Sequence, residues 1–380
     1  RDSRGDSRRR GALMAKKLAS DRLLFIPVVM LIGTGLLMIY SASAMQIYLP
    51  VAGATSHPYF FVFKQGIAVT LGAFLAFGAL SIDYRKLDNP RGILAVLGMI
   101  TVALVAVLFR SPINGTRRWI DLGVMSIQPS EFAKVGLVVA LAALLSRRER
   151  EIDHPTRTLL PVAGLLALLA GLVLLEPDFG TAFSYLAIAG AMLFFAGLPA
   201  GWFAGAALLI VPTLSAYVWS ASYRRDRILA FLHPEADPLG KGFQAIQSLI
   251  AVGTGGVTGL GLGHGKQKLF FLPYPYTDFI YAIVGEELGL IGCVAVLALF
   301  GLVFARGIRA AANAPDSFGR LLGVGLSVMI VVQALVNVSV VLSLLPTKGI
   351  PLPFLSYGGS ALWADLLAVG ILLNLSQHSS

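Results

Sequence analysis

The chain has 380 residues, 56% of them hydrophobic and 13% charged, with a formal net charge of +10. A soluble domain carries about 25% charged residues, which excludes an ordinary water-soluble fold. The positive charge falls in short clusters between apolar runs, which is how membrane topology is written and not how nucleic acid is bound.

The single Cys293 lies inside an apolar run and excludes an intramolecular disulfide or a multi-cysteine metal site. His57, His154, His233, His264 and His378 are scattered without the ligand spacing of a zinc site.

In chain order, residues 1–22 form a polar, basic tail, followed by a full-length apolar run where a cleavable signal would have a short one. Runs of roughly 17–25 apolar residues cross a hydrocarbon core as helix, because every backbone polar group must be paired within it. A β-barrel would show short alternating segments instead. Spans are predicted at 23–43, 60–80, 92–109, 131–145, 159–175, 180–197, 201–221, 280–304, 321–344 and 361–376. The expected fold is an all-α, polytopic membrane protein of about ten helices. It has one transmembrane domain over 23–376, a long loop over 222–279 between helices 7 and 8, and a short end at 377–380.

Basic residues set the orientation. With the N-terminus inside, the inner segments hold 18 Lys and Arg and the outer ones 10, six of these in the long loop. Long loops translocate largely regardless of charge, so both termini are expected in the cytoplasm of a bacterial-type inner membrane. The outer positive charge suits an anionic ligand.

Four segments carry candidate chemistry. NGTRRWIDLG at 114–123 sets Arg117 and Arg118 beside Trp119, a pair suited to clamping phosphate; the bland alternative is an interfacial anchor touching headgroups. EPDFGT at 176–181 places Glu176 and Asp178 at a tight turn between spans, either as a site or, for Asp178, as a helix cap.

The third segment, Tyr223 to Glu287, is the densest. Its glycine-rich run contains Gly265-Lys266-Gln267, which fails the Walker A spacing, and it lacks the strand-then-helix setting of a dinucleotide fingerprint, so no nucleotide is expected. Asp278 stands immediately before the eighth span, where an ionisable group is costly without a task or a partner. It is placed to act as a general base, or to cap the helix. Glu286 and Glu287 follow about two turns further in, facing a polar interior or pairing with Lys or Arg. The fourth segment, LPTKGIPLPFLSYGGS at 345–360, contains Lys348 and Ser356. Its prolines and glycines prevent a regular helix, so it reads as re-entrant or cavity-lining backbone.

Together the NG-x-RRWI, EPDFGT, DPLG-x-G-x-Q-x-x-QS (237–248), TDFI-x-A-x-x-GEELG (277–289) and LPTKGIPLPFLSYGGS stretches resemble the SEDS family, the polytopic proteins of bacterial shape, elongation, division and sporulation. The resemblance covers about 20–376, and LPTKG looks more like the FtsW branch than the RodA branch. It implies a peptidoglycan glycosyltransferase that polymerises lipid II at the outer membrane face, in cell division or elongation, by an inverting displacement. Asp278 matches the family's essential aspartate. FtsW-like sequences commonly read PEAHTD where this chain has Tyr274 and Tyr276, so helper roles at those two positions do not carry over.

On that reading Asp278 takes the proton of the acceptor hydroxyl. Arg117, Arg118, Lys266, Lys268 and Lys348, with Arg224 and Arg225 as weaker candidates, meet the undecaprenyl diphosphate. Glu176, Asp178, Glu286, Glu287 and Ser356 are supporting candidates. A divalent cation, Mg or Mn, is expected. The expected partners are a class B penicillin-binding protein and other divisome or elongasome membrane proteins. The rival classes are a lipid II flippase, suited by intramembrane charges such as Lys64 and Lys134, and a non-catalytic division scaffold.

Overall fold

The structure is a computed structural model that describes residues 21–43, 59–111, 116–121, 123, 125–240, 242–269, 271–273, 275–346 and 349–378, the side chains of 223 and 224 excepted. Among the described residues the chain forms α1 (Arg22–Ser43), α2 (Phe60–Ser81), α3 (Pro90–Leu108), α4 (Pro129–Ser146), α5 (Leu160–Leu175), α6 (Phe179–Phe195), α7 (Ala200–Trp219), α8 (Ser222–Leu232), α9 (Phe243–Gly255), α10 (Ile280–Ala312), α11 (Ser317–Val341) and α12 (Gly359–His378). Nine are long and apolar enough to cross a membrane, counting the turn from Pro155 with α5. The tenth predicted span is α6, whose 17 apolar residues reach about 25 Å at 1.5 Å each. The remaining two, α8 and α9, lie within the long connection between the seventh and eighth spans.

Local chemistry sets the helix starts. Asn89 accepts the amide of Arg91 (3.1 Å) ahead of Pro90, which needs no amide partner at a first turn. Asp316 caps α11 by accepting the amide of Gly319 (2.7 Å). Between α3 and α4 a two-residue antiparallel pair, β1 (Ile120–Asp121) and β2 (Ser126–Ile127), closes a hairpin.

The bundle is organised by burial. α4, α11 and α12 are central, with 72%, 78% and 78% of their spanning windows buried; α2 and α3, at 17%, are peripheral. α12 packs most extensively on α2, and α11 on α10, α4 and α6. α7 has no buried residue; Tyr217 ties it to the bundle by donating to the Leu174 carbonyl at 3.1 Å and packing its ring on Phe179.

α10 is broken at Gly289, whose φ of +66° and ψ of −165° belong to glycine alone. The break releases backbone groups inside the bundle, where each must find a partner. The amides of Leu290 and Ile291 donate to the carbonyls of Gly256 and Val257, at 2.9 and 3.2 Å. In return the carbonyls of Glu286 and Glu287 accept from Leu260 and Gly261, at 3.0 and 3.1 Å. The glycine-rich stretch is therefore a strand-like strap laid against a spanning helix.

Candidate functional site

At the end of the bundle that carries the long loop, residues 276–278 form the turn leading into α10. α10 does not take up the Asp278 carbonyl, because the amide of Ala282 bonds to Phe279 instead. Three successive carbonyls are held by other elements. Tyr276 accepts the amide of Tyr357 (2.9 Å), Thr277 the hydroxyl of Ser356 (2.6 Å), and Asp278 the side-chain amide of Asn337 (2.8 Å).

Ser356 also accepts the amide of Leu352 at 2.8 Å, and its carbonyl accepts from Gln65 at 3.2 Å. Phe354, at φ +63°, holds this irregular segment in the left-handed region, a strain of about 1 kcal/mol or more that surrounding contacts must offset. The segment after α11 is thus the wall against which the Asp278 turn is built. A side chain at Gly349 would meet the Asp278 carboxylate at 3.0 Å, so glycine there lets the backbone approach the acid.

The Asp278 carboxyl is half-buried. Burial pushes its pKa from 3.8 up to about 6, a rise that the nearby Arg118 charge opposes and Asp178 assists. Arg118 and Asp178 thus lie near enough to act on the charge of Asp278.

Arg118 comes from the segment before β1. Its Nε donates to the Glu176 carbonyl at 3.1 Å and its Nη2 to the Pro177 carbonyl at 2.5 Å, while Nη1 lies 3.6 Å from Asp178 Oδ2. The guanidinium fork is pinned by two carbonyls, and Nη1 is turned to the acid. Asp178 caps α6 through the amide and hydroxyl of Thr181, at 3.1 and 2.9 Å. Both readings of Asp178 therefore meet in one residue: it is a cap, and it belongs to the Arg118 cluster. Glu176 is fully buried and its carboxyl oxygens have no hydrogen-bond partner among the described residues. Burial, with Asp178 adding, raises its pKa to about 8 against the pull of Arg118.

Other candidates lie elsewhere. Lys268 is buried, its ammonium donating to Ser41 (2.8 Å), Gly263 (2.8 Å) and Glu287 (2.7 Å), which corrects its expected place as a diphosphate contact. Glu287 accepts from Ser41 as well and from the Gly263 amide, and Glu286 accepts the amides of Lys266 (2.6 Å) and Gln267 (3.1 Å). These two acids hold the glycine-rich strap. The Lys266 side chain is exposed on that strap, and Arg117 is exposed with Nη1 on the Leu108 carbonyl (3.0 Å). Arg225 is exposed on α8; Lys348 and the Arg224 side chain lie outside the described residues.

Lys134 is buried, ion-paired with Glu131 at 2.6 Å and donating to Gln333. Gln333 in turn donates to the Pro351 carbonyl at 3.0 Å, and Asn337, one turn along α11, donates to that of Ile350 at 2.7 Å. Sequence reading missed Gln333, Asn337 and Gln65. The available signal was two amides four apart inside an apolar span, where polar side chains need a partner.

Among the described residues no three His, Cys, Asp or Glu converge as a metal cage. Arg118 already sets a fixed positive charge 3.6 Å from the Asp178 carboxylate.

The chain matches a family model described as "Cell cycle protein", that of FtsW, RodA and SpoVE, over residues 21–380. It is 40% identical to the stage V sporulation protein E of Bacillus subtilis (strain 168), over 97% of this chain and all of that one. It is 41% identical to a probable peptidoglycan glycosyltransferase FtsW of Geobacter metallireducens, over 94% and 95%. Among solved structures it resembles one described as "Structural coordination of polymerization and crosslinking by a peptidoglycan synthase complex". There the TM-score is 0.76 and the identity 34%, covering 94% of this chain and 98% of that one. Thermus thermophilus rod shape determining protein RodA aligns with a TM-score of 0.69 and 29% identity, over 95% and 98%.

Proposed function

Because this chain belongs to the FtsW/RodA/SpoVE family of multi-pass membrane proteins, we propose that it is a peptidoglycan glycosyltransferase that polymerises lipid II into glycan strands, in division or elongation. The observation that carries this reading is the half-buried Asp278 carboxyl, its turn pinned through three carbonyls, with the fixed Arg118 charge acting on it. The excess of basic residues in the predicted inner segments supports a topology with both termini in the cytoplasm and the Asp278 end on the outer face of the bacterial inner membrane.

Asp278 takes the proton of the acceptor sugar 4-hydroxyl as that oxygen attacks the anomeric carbon of the growing strand. The bond from that carbon to the undecaprenyl diphosphate breaks, the diphosphate leaves with the bonding pair, and the single displacement inverts the centre. Arg118, pre-set by two carbonyls, offers its remaining N–H groups to the departing charge without reorganising. A divalent cation, Mg or Mn, would supply charge neutralisation at the diphosphate.

A class B penicillin-binding protein is the proposed partner. The similar solved complex, described as coordinating polymerisation and crosslinking, supports that choice. Other division or elongation membrane proteins would assemble around the pair.

The test is purified protein with its cognate penicillin-binding protein and lipid II, wild type against Asp278→Asn. Polymer from the wild type and none from an equally well folded variant is expected. Undiminished polymer from the variant would overturn the reading. Transfer of labelled lipid II across liposomes without polymer would point to a flippase, and complex formation without either activity to a scaffold.

A further inference from the structure

α11 carries an amide that the chemistry above does not use. Asn337 is 1% exposed, and its side-chain nitrogen donates to two main-chain carbonyls, Asp278 at 2.8 Å and Ile350 at 2.7 Å. An amide nitrogen has two hydrogens, and both are committed. The opposite rotamer of the amide would set its oxygen against the same two carbonyls, so the network fixes which way it faces.

Both carbonyls need this donor. α10 leaves the Asp278 carbonyl without a helical bond, since the Ala282 amide is taken by Phe279. Ile350 precedes Pro351, in a stretch with neither helix nor strand to pair its carbonyl. The two peptides flank the acid: one follows the Asp278 α-carbon, and the other, Ile350–Pro351, lies one residue beyond Gly349, where an added side chain would meet the Asp278 carboxylate. One side chain on a rigid, buried helix therefore sets the distance between the general base and its wall.

We propose that Asn337 is a positioning residue for the Asp278 base, holding the Asp278 and Ile350 peptides in the spacing that aims the carboxylate at the acceptor hydroxyl. This rests on the glycosyltransferase reading above. Its contribution falls on the chemical step, because the amide reaches substrate only through the carboxylate it orients.

The experiment measures lipid II polymerisation by the full chain with its penicillin-binding protein, for Asn337→Leu, which keeps size and removes both donors, and Asn337→Ser, which keeps one. Misplacing a reacting group by about 1 Å costs on the order of 100-fold. Asn337→Leu is therefore expected to lower kcat by about 10- to 100-fold with the lipid II KM within about twofold. Asn337→Ser should fall between it and the wild type, and the acid limb of the kcat/KM profile should move as the surroundings of the carboxyl change. Should Asn337→Leu fail to fold, Asn337→Ser carries the same test. Wild-type kcat in the folded variants, a raised KM with kcat intact, or an acid limb that stays in place would overturn the proposal. Those outcomes differ from failure of the functional reading, which would appear as an active Asp278→Asn.

Discussion

The ammonium of Lys268 lies 2.7 Å from Glu287 Oε1, both side chains almost fully buried, with Ser41 of α1 bonded to the two of them. This pair fastens the glycine-rich strap to α10 and α1 and so holds the long loop that ends at Asp278. Removing one partner of a buried pair leaves an uncompensated charge and costs about 3–5 kcal/mol. Lys268→Ala is expected to lower unfolding stability in detergent by that order. Lys266→Ala, at an exposed side chain, should be near neutral; equal stability of the two variants would refute the strap.

On the proposed reading, Asp278 sets an acid limit on turnover. Its carboxyl, raised to about 6 by burial, must be ionised to act as a base, so kcat/KM should rise with pH through about 6 and then level. The linkage runs the opposite way for stability. The folded state holds the proton up to about 6 and the unfolded chain only to 3.8, so this group's stabilisation is present below 3.8 and lost as pH rises through 6. Asp278→Asn should therefore be inactive yet more stable than wild type at neutral pH, with the advantage shrinking between pH 6 and 4 in paired thermal unfolding curves.

Glu176 is held neutral through the physiological range, its pKa raised to about 8 by burial. Glu176→Gln reproduces the neutral group and should keep turnover within about twofold at pH 7. Between the usual carboxylate value of 4.5 and about 8, rising pH removes the stability that the bound proton confers on the wild type. The variant should show a flatter stability profile across that window. A large loss of activity at pH 7 would mean that an ionised Glu176 is required.

Arg118 holds two carbonyls with one planar fork, which a lysine ammonium does not reproduce. Arg118→Lys keeps the charge but frees the turn at 176–178. Turnover is expected to fall by about 10-fold or more, with a raised lipid II KM, in steady-state polymerisation. Wild-type kinetics in this variant would show that charge alone suffices.

Much of the fold was legible because the bilayer leaves few options: an apolar run of sufficient length has to be helix, and each of the ten predicted spans is one. Asp278 stood out for a similar reason, since a lone carboxylate at a membrane boundary needs a cause. The second helix inside the long loop, α9, and the strap made from its glycines were not legible, because they are fixed by packing on α10 and, through Lys268 and Ser41, on α1, contacts that exist only in the folded chain.

Charge by itself did not say where each basic residue points. Lys268 and Arg118 look alike as cations of the loop-bearing end, yet a buried acid claims one, and two carbonyls fix the other against Asp178, near enough to act on the charge of Asp278. Asn337 carries no charge at all and stood out least. Sequence by itself determined which segments cross the membrane and which acid stands at its edge. Tertiary structure decided which cation faces that acid and what holds it in place, because hydrogen bonds between residues 59 positions apart, such as Asn337 to Asp278, exist only once the helices have packed.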